Sequence, residues 1–254
     1  MADRWRPAWA DIDLDALRHN AGVLATLTAP AALCAVVKAD GYGHGALPVA
    51  RAALEGGATW LAVALVEEGV NLREAGIEAP ILLLSEPPVE GMAEAVARGL
   101  VPTLYTRGGI ASLSRVVAER GVPPVAVHLK VDTGMHRVGA DPDEACGLAE
   151  AIDADPHLVL GAVWTHLAVA DGTSPEDLAF SALQLERFDP GGEYVSRYLG
   201  GPDRPDRPGG GTGPGRSGRL FDLPGTGGTP VVDHARERVE ALARFAEARG
   251  RADH

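Results

Sequence analysis

The sequence is poor in cysteine and aromatic side chains, and it contains no long hydrophobic run and no cluster of positive charge. Cys34 and Cys146 are the only cysteines among 254 residues, and they match no metal-ligand spacing. We therefore expect no metal site and a reducing compartment. No apolar run approaches the roughly 18 residues of a membrane span, and the first residues lack a signal-peptide core. These absences predict a cytoplasmic protein that does not contact a membrane.

Positive charge is the scarcer sign in this chain. Its 23 Lys and Arg residues stand against 35 Asp and Glu, which gives a formal net charge of −12. An acidic chain repels phosphate backbones, so we expect no nucleic-acid partner. Hydrophobic residues make up 46% of the sequence, which is enough for a sizeable core. The length permits one large α/β barrel or two ordinary domains.

Short apolar runs alternate with segments of helical periodicity as far as residue 188. The predicted strands are Leu33–Val37, Trp60–Ala64, Ile81–Leu84, Val101–Tyr105, Val125–Val131 and Leu158–Thr165. The predicted helices are Ala46–Glu55, Val66–Ala75, Gly91–Ala97, Gly109–Arg120, Pro142–Ile152 and Pro175–Phe188. An earlier helix places Leu14, Leu17, Ala21, Leu24 and Leu27 on one face, with Asp13 as its N-cap. This alternation predicts an incomplete TIM-type (β/α)8 barrel of about six β/α units over residues 1–188.

The composition changes abruptly after Phe188. Of the 41 residues from Pro190 to Pro230, 20 are glycine or proline. Such a segment lacks the apolar content to offset chain entropy, so residues 189–230 are predicted to be a low-complexity, mostly disordered linker. Residues 231–254 return to a helical period and predict a C-terminal amphipathic helix, either packed on the barrel or frayed.

Lys38 is the first residue with a candidate chemical role. It follows an apolar strand and precedes the glycine-rich run ADGYGHG. A lysine at the end of a barrel strand lies at the mouth, where desolvation lowers its pKa and frees the amine for attack on an aldehyde. The glycines let the backbone approach a cofactor phosphate, to which Tyr42 could donate its hydroxyl. The alternative is an ordinary lysine beside a glycine-rich turn.

A second cluster, HLKVDTGMHRVGA, lies at the end of the fifth strand. His128, Lys130 and Asp132 alternate and therefore point to one face of that strand. Lys130 and Asp132 form a natural ion pair, which is the simplest structural explanation. Arg137 follows in a loop, where its guanidinium suits a carboxylate or is merely solvated.

A third candidate, His166, follows the sixth strand in the segment WTHLAVAD. A single histidine at a strand end is more often structural than catalytic. However, Lys38, Arg137 and His166 all lie at the carboxyl ends of strands, which meet at one rim in a barrel. This coincidence favours a site at that rim.

These segments resemble the signatures of the alanine racemase family, pyridoxal-phosphate (PLP) enzymes that interconvert L- and D-alanine. VVKADGYGHG is similar to the cofactor-attachment signature, and HLKVDTGMHRVG, WTHLAVAD and QLERF are similar to later family segments. The resemblance runs from RPAWADIDLDALRHN to about Phe188. It implies that alanine is the substrate and that the D-alanine supplies cell-wall peptidoglycan.

The resemblance also implies a role for each matching residue. Lys38 is the family's Schiff-base lysine and the base on the D side, and Tyr42 holds the phosphate of the cofactor. Arg137 contacts the phenolic oxygen of the cofactor and the substrate carboxylate. Lys130 matches a carbamylated lysine that positions this arginine, and His166 lies beside the cofactor.

Other parts of the family pattern have no match in this sequence. They are the serine-bearing strand after QLERF, an arginine–glycine segment, and the C-terminal β-domain. In the family, this domain supplies the second acid/base, a tyrosine, and most of the homodimer interface. The arginine-, proline- and glycine-rich sequence after Pro190 is typical of a GC-rich gene translated out of frame. We therefore expect a chain that is truncated or frameshifted after about residue 188. Three interpretations stay open: an alanine racemase, a non-catalytic PLP-binding module, and an inactive truncated product.

Overall fold

The protein is described by a computed structural model over residues 9–188. The strands are β1 (Cys34–Val36), β2 (Trp60–Val63), β3 (Ile81–Leu83), β4 (Thr103–Leu104), β5 (Val125–Val131) and β6 (Leu158–Thr165). The helices are α1 (Leu14–Thr28), α2 (Lys38–Tyr42), α3 (Ala46–Glu55), α4 (Val66–Glu74), α5 (Val89–Ala97), α6 (Arg107–Arg120), α7 (Pro142–Ala154) and α8 (Pro175–Phe188). The predicted linker and C-terminal helix lie outside the described residues.

The predicted alternation of strands and helices is confirmed, and α2 is the one element that the sequence did not predict. β1 pairs with β2 in parallel, and β5 pairs in parallel with both β4 and β6. The strands form two three-stranded sheets, ordered β1-β2-β3 and β4-β5-β6. The chain divides into two compact units between Leu82 and Leu83. Within residues 9–188, every helix is too short or too polar to span a membrane.

In the first unit, α1 packs on α3 through small residues rather than through its leucines. A Cβ atom placed on Gly56 would lie 2.4 Å from the carbonyl oxygen of Arg18 and 2.6 Å from the Cβ of Ala21. This close approach buries Ala21, whereas Leu24 and Leu27 are 50% and 64% exposed. The predicted N-cap is confirmed, because Asp13 accepts hydrogen bonds from the backbone N–H groups of the first turn.

In the second unit, β5 presents two different faces. Its alternate residues Val127, Leu129 and Val131 are fully buried in a cluster with apolar residues of α6 and α7. Its other buried side chains include His128 and Lys130, which alternate with the apolar ones and point to the opposite face. Strand periodicity therefore brings ionisable groups together on the side of the sheet that is turned away from the helices.

Side chains satisfy backbone N–H groups where strands end and the sheet ladder stops. After β4, the Glu86 carboxylate accepts hydrogen bonds from the N–H groups of Tyr105 and Thr106, at 2.9 and 3.0 Å. It also accepts one from the hydroxyl of Thr106 at 2.7 Å. Buried N–H groups without an acceptor are costly, so this carboxylate fixes the path of the chain from β4 into α6.

A fully buried glutamine on α8 connects the ends of β5 and β6. The side-chain oxygen of Gln184 accepts from the N–H of Ala168 at 2.8 Å. Its amide nitrogen donates to the hydroxyl of Thr133 and to the carbonyl oxygen of His166, both at 3.1 Å. The Thr133 hydroxyl also lies 2.8 Å from that of Thr165. Each polar atom of the glutamine is paired, so the network holds the segments after both strands against α8.

We predict that Gln184→Leu lowers the free energy of unfolding by about 2–4 kcal/mol, because it removes the three hydrogen bonds that a buried side chain makes to the segments after β5 and β6. The measurement is urea unfolding of the full chain followed by tryptophan fluorescence. Glu186→Leu places the same side chain at an exposed position two residues later, and its effect is expected to stay within about 0.5 kcal/mol. Equal losses in the two variants would contradict the role given to the network.

Candidate active site

Lys38 begins the short helical turn α2 rather than ending a strand. β1 ends at Val36, and the N–H of Val37 donates to the carbonyl oxygen of Ala62 at 2.9 Å. The predicted strand Leu33–Val37 is therefore one residue too long at each end. Lys38 follows at once and is half-buried, so strand pairing fixes the backbone immediately before the lysine.

The backbone after Lys38 is left-handed over five consecutive residues. The φ angles are 52° at Ala39, 53° at Asp40, 61° at Gly41, 57° at Tyr42 and 81° at Gly43. Non-glycine residues avoid this region at a cost of roughly 1–2 kcal/mol each. Hydrogen bonds hold the turn in this conformation, including those from the N–H of Gly43 to the carbonyl oxygens of Ala39 and Asp40. The glycine-rich run is therefore an ordered turn under backbone strain.

The glycines of this run shape the turn and use their own N–H groups within it. Gly41 and Gly45 donate to the carbonyl oxygens of Val37 and Asp40, at 3.0 and 2.8 Å. A Cβ atom on Gly41 would lie 3.2 Å from the Val49 side chain. Gly41 thus packs closely against the protein itself, and the approach of a cofactor phosphate to these glycines stays a prediction. Their N–H groups are engaged inside the turn, so a phosphate would need another donor.

The turn brings the side chains of Lys38 and Tyr42 together. The Nζ atom of Lys38 lies 6.0 Å from the centroid of the Tyr42 ring, at the outer limit of a cation–π contact. Tyr42 is 58% exposed. An amine and a phenol therefore face the same region of the first unit, and the phenol is accessible to a ligand.

In the second unit, Lys130 is 3% exposed and packs on an aromatic ring. Its Nζ atom lies 4.4 Å from the Trp164 ring centroid. The indole N–H of Trp164 is buried and has no hydrogen-bond acceptor among residues 9–188. His128 lies on the same strand, and burial lowers the pKa of its imidazole to about 4. This histidine is consequently neutral at pH 7.

Asp132 shapes the loop that leads to Arg137. Its Oδ1 atom accepts from the N–H groups of Gly134 and His136, both at 3.0 Å. Burial opposes ionisation of this carboxyl, but the N–H groups of His136 and Gly134 outweigh it and lower its pKa. The carboxylate thus caps a tight loop, and its pairing with Lys130 stays a prediction. Arg137 follows with an exposed side chain.

His166 lies directly after β6 with an exposed side chain. Its carbonyl oxygen accepts from Gln184, so α8 fixes its backbone. The structure therefore gathers the sequence candidates in two places. Lys38 and Tyr42 are neighbours in the first unit, while Lys130, Arg137 and His166 lie at or after the ends of β5 and β6 in the second.

Two residues in these surroundings were not identified from the sequence as individuals. Gln184 was noted only as part of QLERF, and Glu68 was not noted at all. Glu68 accepts from the N–H of Ala39, the residue after the lysine, at 2.6 Å. A glutamate at the third position of a helix is a recognisable capping signal. That signal does not reveal the hydrogen bond to Ala39, which lies 29 residues earlier in the sequence.

Comparisons with known proteins point to one family. Residues 12–198 match the family model described as "Alanine racemase, N-terminal domain". The alanine racemase of Symbiobacterium thermophilum is 46% identical over 188 residues, which cover 74% of this chain and 48% of that protein. The alanine racemase of Treponema pallidum is 43% identical over 180 residues, covering 70% of this chain and 47% of that protein.

Solved structures give the same result. The alanine racemase from Bacillus anthracis with bound L-Ala-P has a TM-score of 0.66 and 32% identity, covering 76% of this chain and 50% of that one. The Clostridium difficile enzyme in complex with cycloserine has a TM-score of 0.65 and 32% identity, covering 73% and 51%. The chain spans about half the length of the curated relatives it matches. By the family model and by identity, the chain belongs to the alanine racemase family through that family's N-terminal domain.

Proposed function

We propose that this chain carries the lysine half of an alanine racemase site, with PLP attached to Lys38. One observation supports this most directly. Lys38 and Lys130 are the only lysines among the 254 residues, and Lys130 is buried at 3% exposure. Lys38 is the more accessible ε-amine, and an ordered, strained turn holds it beside the Tyr42 ring.

The donor set in the first unit fits the cofactor. The amine of Lys38 can bond to the aldehyde carbon, and the exposed hydroxyl of Tyr42 can donate to the phosphate. By the family resemblance, Arg137 would contact the phenolic oxygen of the cofactor and the substrate carboxylate, and His166 would lie beside the cofactor. When bound, the cofactor stabilises negative charge that develops at the substrate Cα.

Lys38 then has a second task as a base. Its ε-amine would take and return the Cα proton on the D side. Inversion of the stereocentre requires another acid/base on the opposite face. In the family a tyrosine acts on that face, and Lys38 would act on the D side.

We further propose that residues 1–188 form an incomplete TIM-type barrel of six β/α units. The parallel strands, the short connections and the family membership support this. The complete racemase would act in the cytoplasm as a homodimer that produces D-alanine for peptidoglycan.

A second candidate is a module that binds PLP without racemase turnover, or an inactive truncated product. Either alternative retains the Lys38 turn, so cofactor attachment and turnover need separate measurements.

Incubation of the full chain with PLP is expected to give the visible absorbance band of the lysine-linked cofactor. Borohydride should abolish the band and leave a pyridoxyl group on the peptide that contains Lys38, as read by mass spectrometry. Lys38→Arg keeps the charge but removes the reactive amine, so it should lose both signals. Label found mainly on Lys130 or the N-terminus would overturn the attachment site.

Proton exchange should be much faster than racemisation. In D2O, the PLP-loaded chain is expected to exchange the Cα hydrogen of D-alanine, while L-alanine forms roughly 100-fold or more slowly. Proton NMR follows exchange, and a chiral assay follows L-alanine. Comparable rates would mean that the chain contains a second acid/base. If PLP is attached to Lys38 but the Cα hydrogen of D-alanine does not exchange, the result would favour the non-catalytic alternatives.

Lys130 is the candidate for carbamylation. The buried amine of Lys130 packs beside Trp164. The buried indole N–H of Trp164 has no hydrogen-bond acceptor among residues 9–188, and a buried donor without an acceptor is costly. A carbamate would remove the positive charge and add oxygen acceptors in the same surroundings.

We predict one protein carbamate signal in the 13C NMR spectrum of the chain in 13C-labelled bicarbonate. Because the sequence has two lysines, the assignment needs only two variants. The signal should persist in Lys38→Arg and disappear in Lys130→Arg. A signal that follows Lys38 instead would refute the proposed modification site.

A further inference from the structure

Glu68 connects the segment that bears Lys38 to the end of β2. Its Oε1 atom accepts from the N–H of Ala39 at 2.6 Å. Its Oε2 atom accepts from the N–H groups of Ala64 and Leu65, at 2.8 and 3.0 Å. One carboxylate therefore joins three backbone N–H groups from two segments of the first unit.

Helix capping explains the hydrogen bonds of only one of the two carboxylate oxygens of Glu68. Glu68 is the third residue of α4, and accepting from the N-cap residue Leu65 is the usual role of a glutamate at that position. Leu65 has no polar side chain with which to complete the reciprocal cap. The hydrogen bond to Ala39 belongs to a different segment, so the cap does not explain it.

The contact falls at the start of the left-handed turn. Ala39 is the first of the five consecutive residues with positive φ, and the backbone enters this costly conformation directly after Lys38. An acceptor at the N–H of Ala39 opposes relaxation of the turn toward an ordinary backbone conformation. The same turn sets the 6.0 Å separation between the amine of Lys38 and the ring of Tyr42.

We propose that Glu68 is a positioning residue for Lys38 and Tyr42. Through the N–H of Ala39, it keeps the amine that would bind the aldehyde and the hydroxyl that would bind the phosphate on the same side of the turn. This inference rests on the proposed function, because it concerns the geometry of the same cofactor site.

The chemistry requires a carboxylate at this position. Both of its oxygens accept hydrogen bonds, one on each segment. In Glu68→Gln, one of the two positions becomes an NH2 group, which is a donor facing another donor. The change removes a charge-assisted hydrogen bond while preserving the size of the side chain. Glu67→Gln is the matched control, since Glu67 is the exposed neighbour on the same first helical turn.

The first test needs no cofactor. In hydrogen–deuterium exchange of the full chain, Glu68→Gln should raise exchange over residues 38–45 by roughly tenfold, as expected for loss of a charge-assisted hydrogen bond. Glu67→Gln should change it by less than about twofold. A role restricted to helix capping would instead raise exchange over residues 66–74 and leave residues 38–45 unchanged.

The second test reads the site through PLP itself. In Glu68→Gln, the dissociation constant for PLP from absorbance titration should rise at least about fivefold, and the pH midpoint of the visible band should move. Glu67→Gln should match wild type in both. Unchanged binding, pH midpoint and exchange in Glu68→Gln would overturn the positioning role. Absence of a lysine-linked band in wild type would instead refute the proposed function, and the exchange measurement would still report whether Glu68 holds the turn.

Discussion

Backbone N–H groups at the ends of strands are the constraint on which this structure depends. Where the sheet ladder stops, these groups need acceptors that no neighbouring strand supplies. Three side chains meet the need: Glu68 at the end of β2, Glu86 at the end of β4 and Gln184 at the end of β6. Glu68 and Gln184 lie in the helix that follows the strand, whereas Glu86 lies in the connection between β3 and α5. The carboxyl ends of these strands, where barrel folds place their chemistry, are therefore fixed by polar contacts.

This arrangement separates stability from chemistry within single elements. On β5, Val127, Leu129 and Val131 pack against helices, while His128 and Lys130 occupy the alternate positions. Successive side chains of a strand point to opposite faces, so β5 can carry the apolar side chains on one face and the ionisable ones on the other. The turn at Lys38 follows the same division: strand pairing fixes the chain up to Val37, and hydrogen bonds fix the residues that follow.

The sequence predicted the elements far better than their contacts. The predicted bounds of α3, β5, β6 and α8 agree with the structure, since long periodic segments carry strong local signals. The left-handed turn escaped prediction because a positive φ at Ala39 has no compositional signature. The sequence also did not show which face of α1 packs on α3. Ala21 and its small neighbours allow a close contact between the helices, and a hydrophobic pattern does not distinguish such a contact from one made by leucines. Glu68 acts on a residue 29 positions away, and spacing within a helix cannot reveal such a partner.

The left-handed turn has a consequence for how this segment can evolve. Glycine at position 39 would relieve the steric clash that alanine suffers there, at the cost of a more flexible chain. A change from alanine to glycine at position 39 would therefore exchange backbone strain for freedom of the segment that carries Lys38, so the strain and the rigidity of this turn come together.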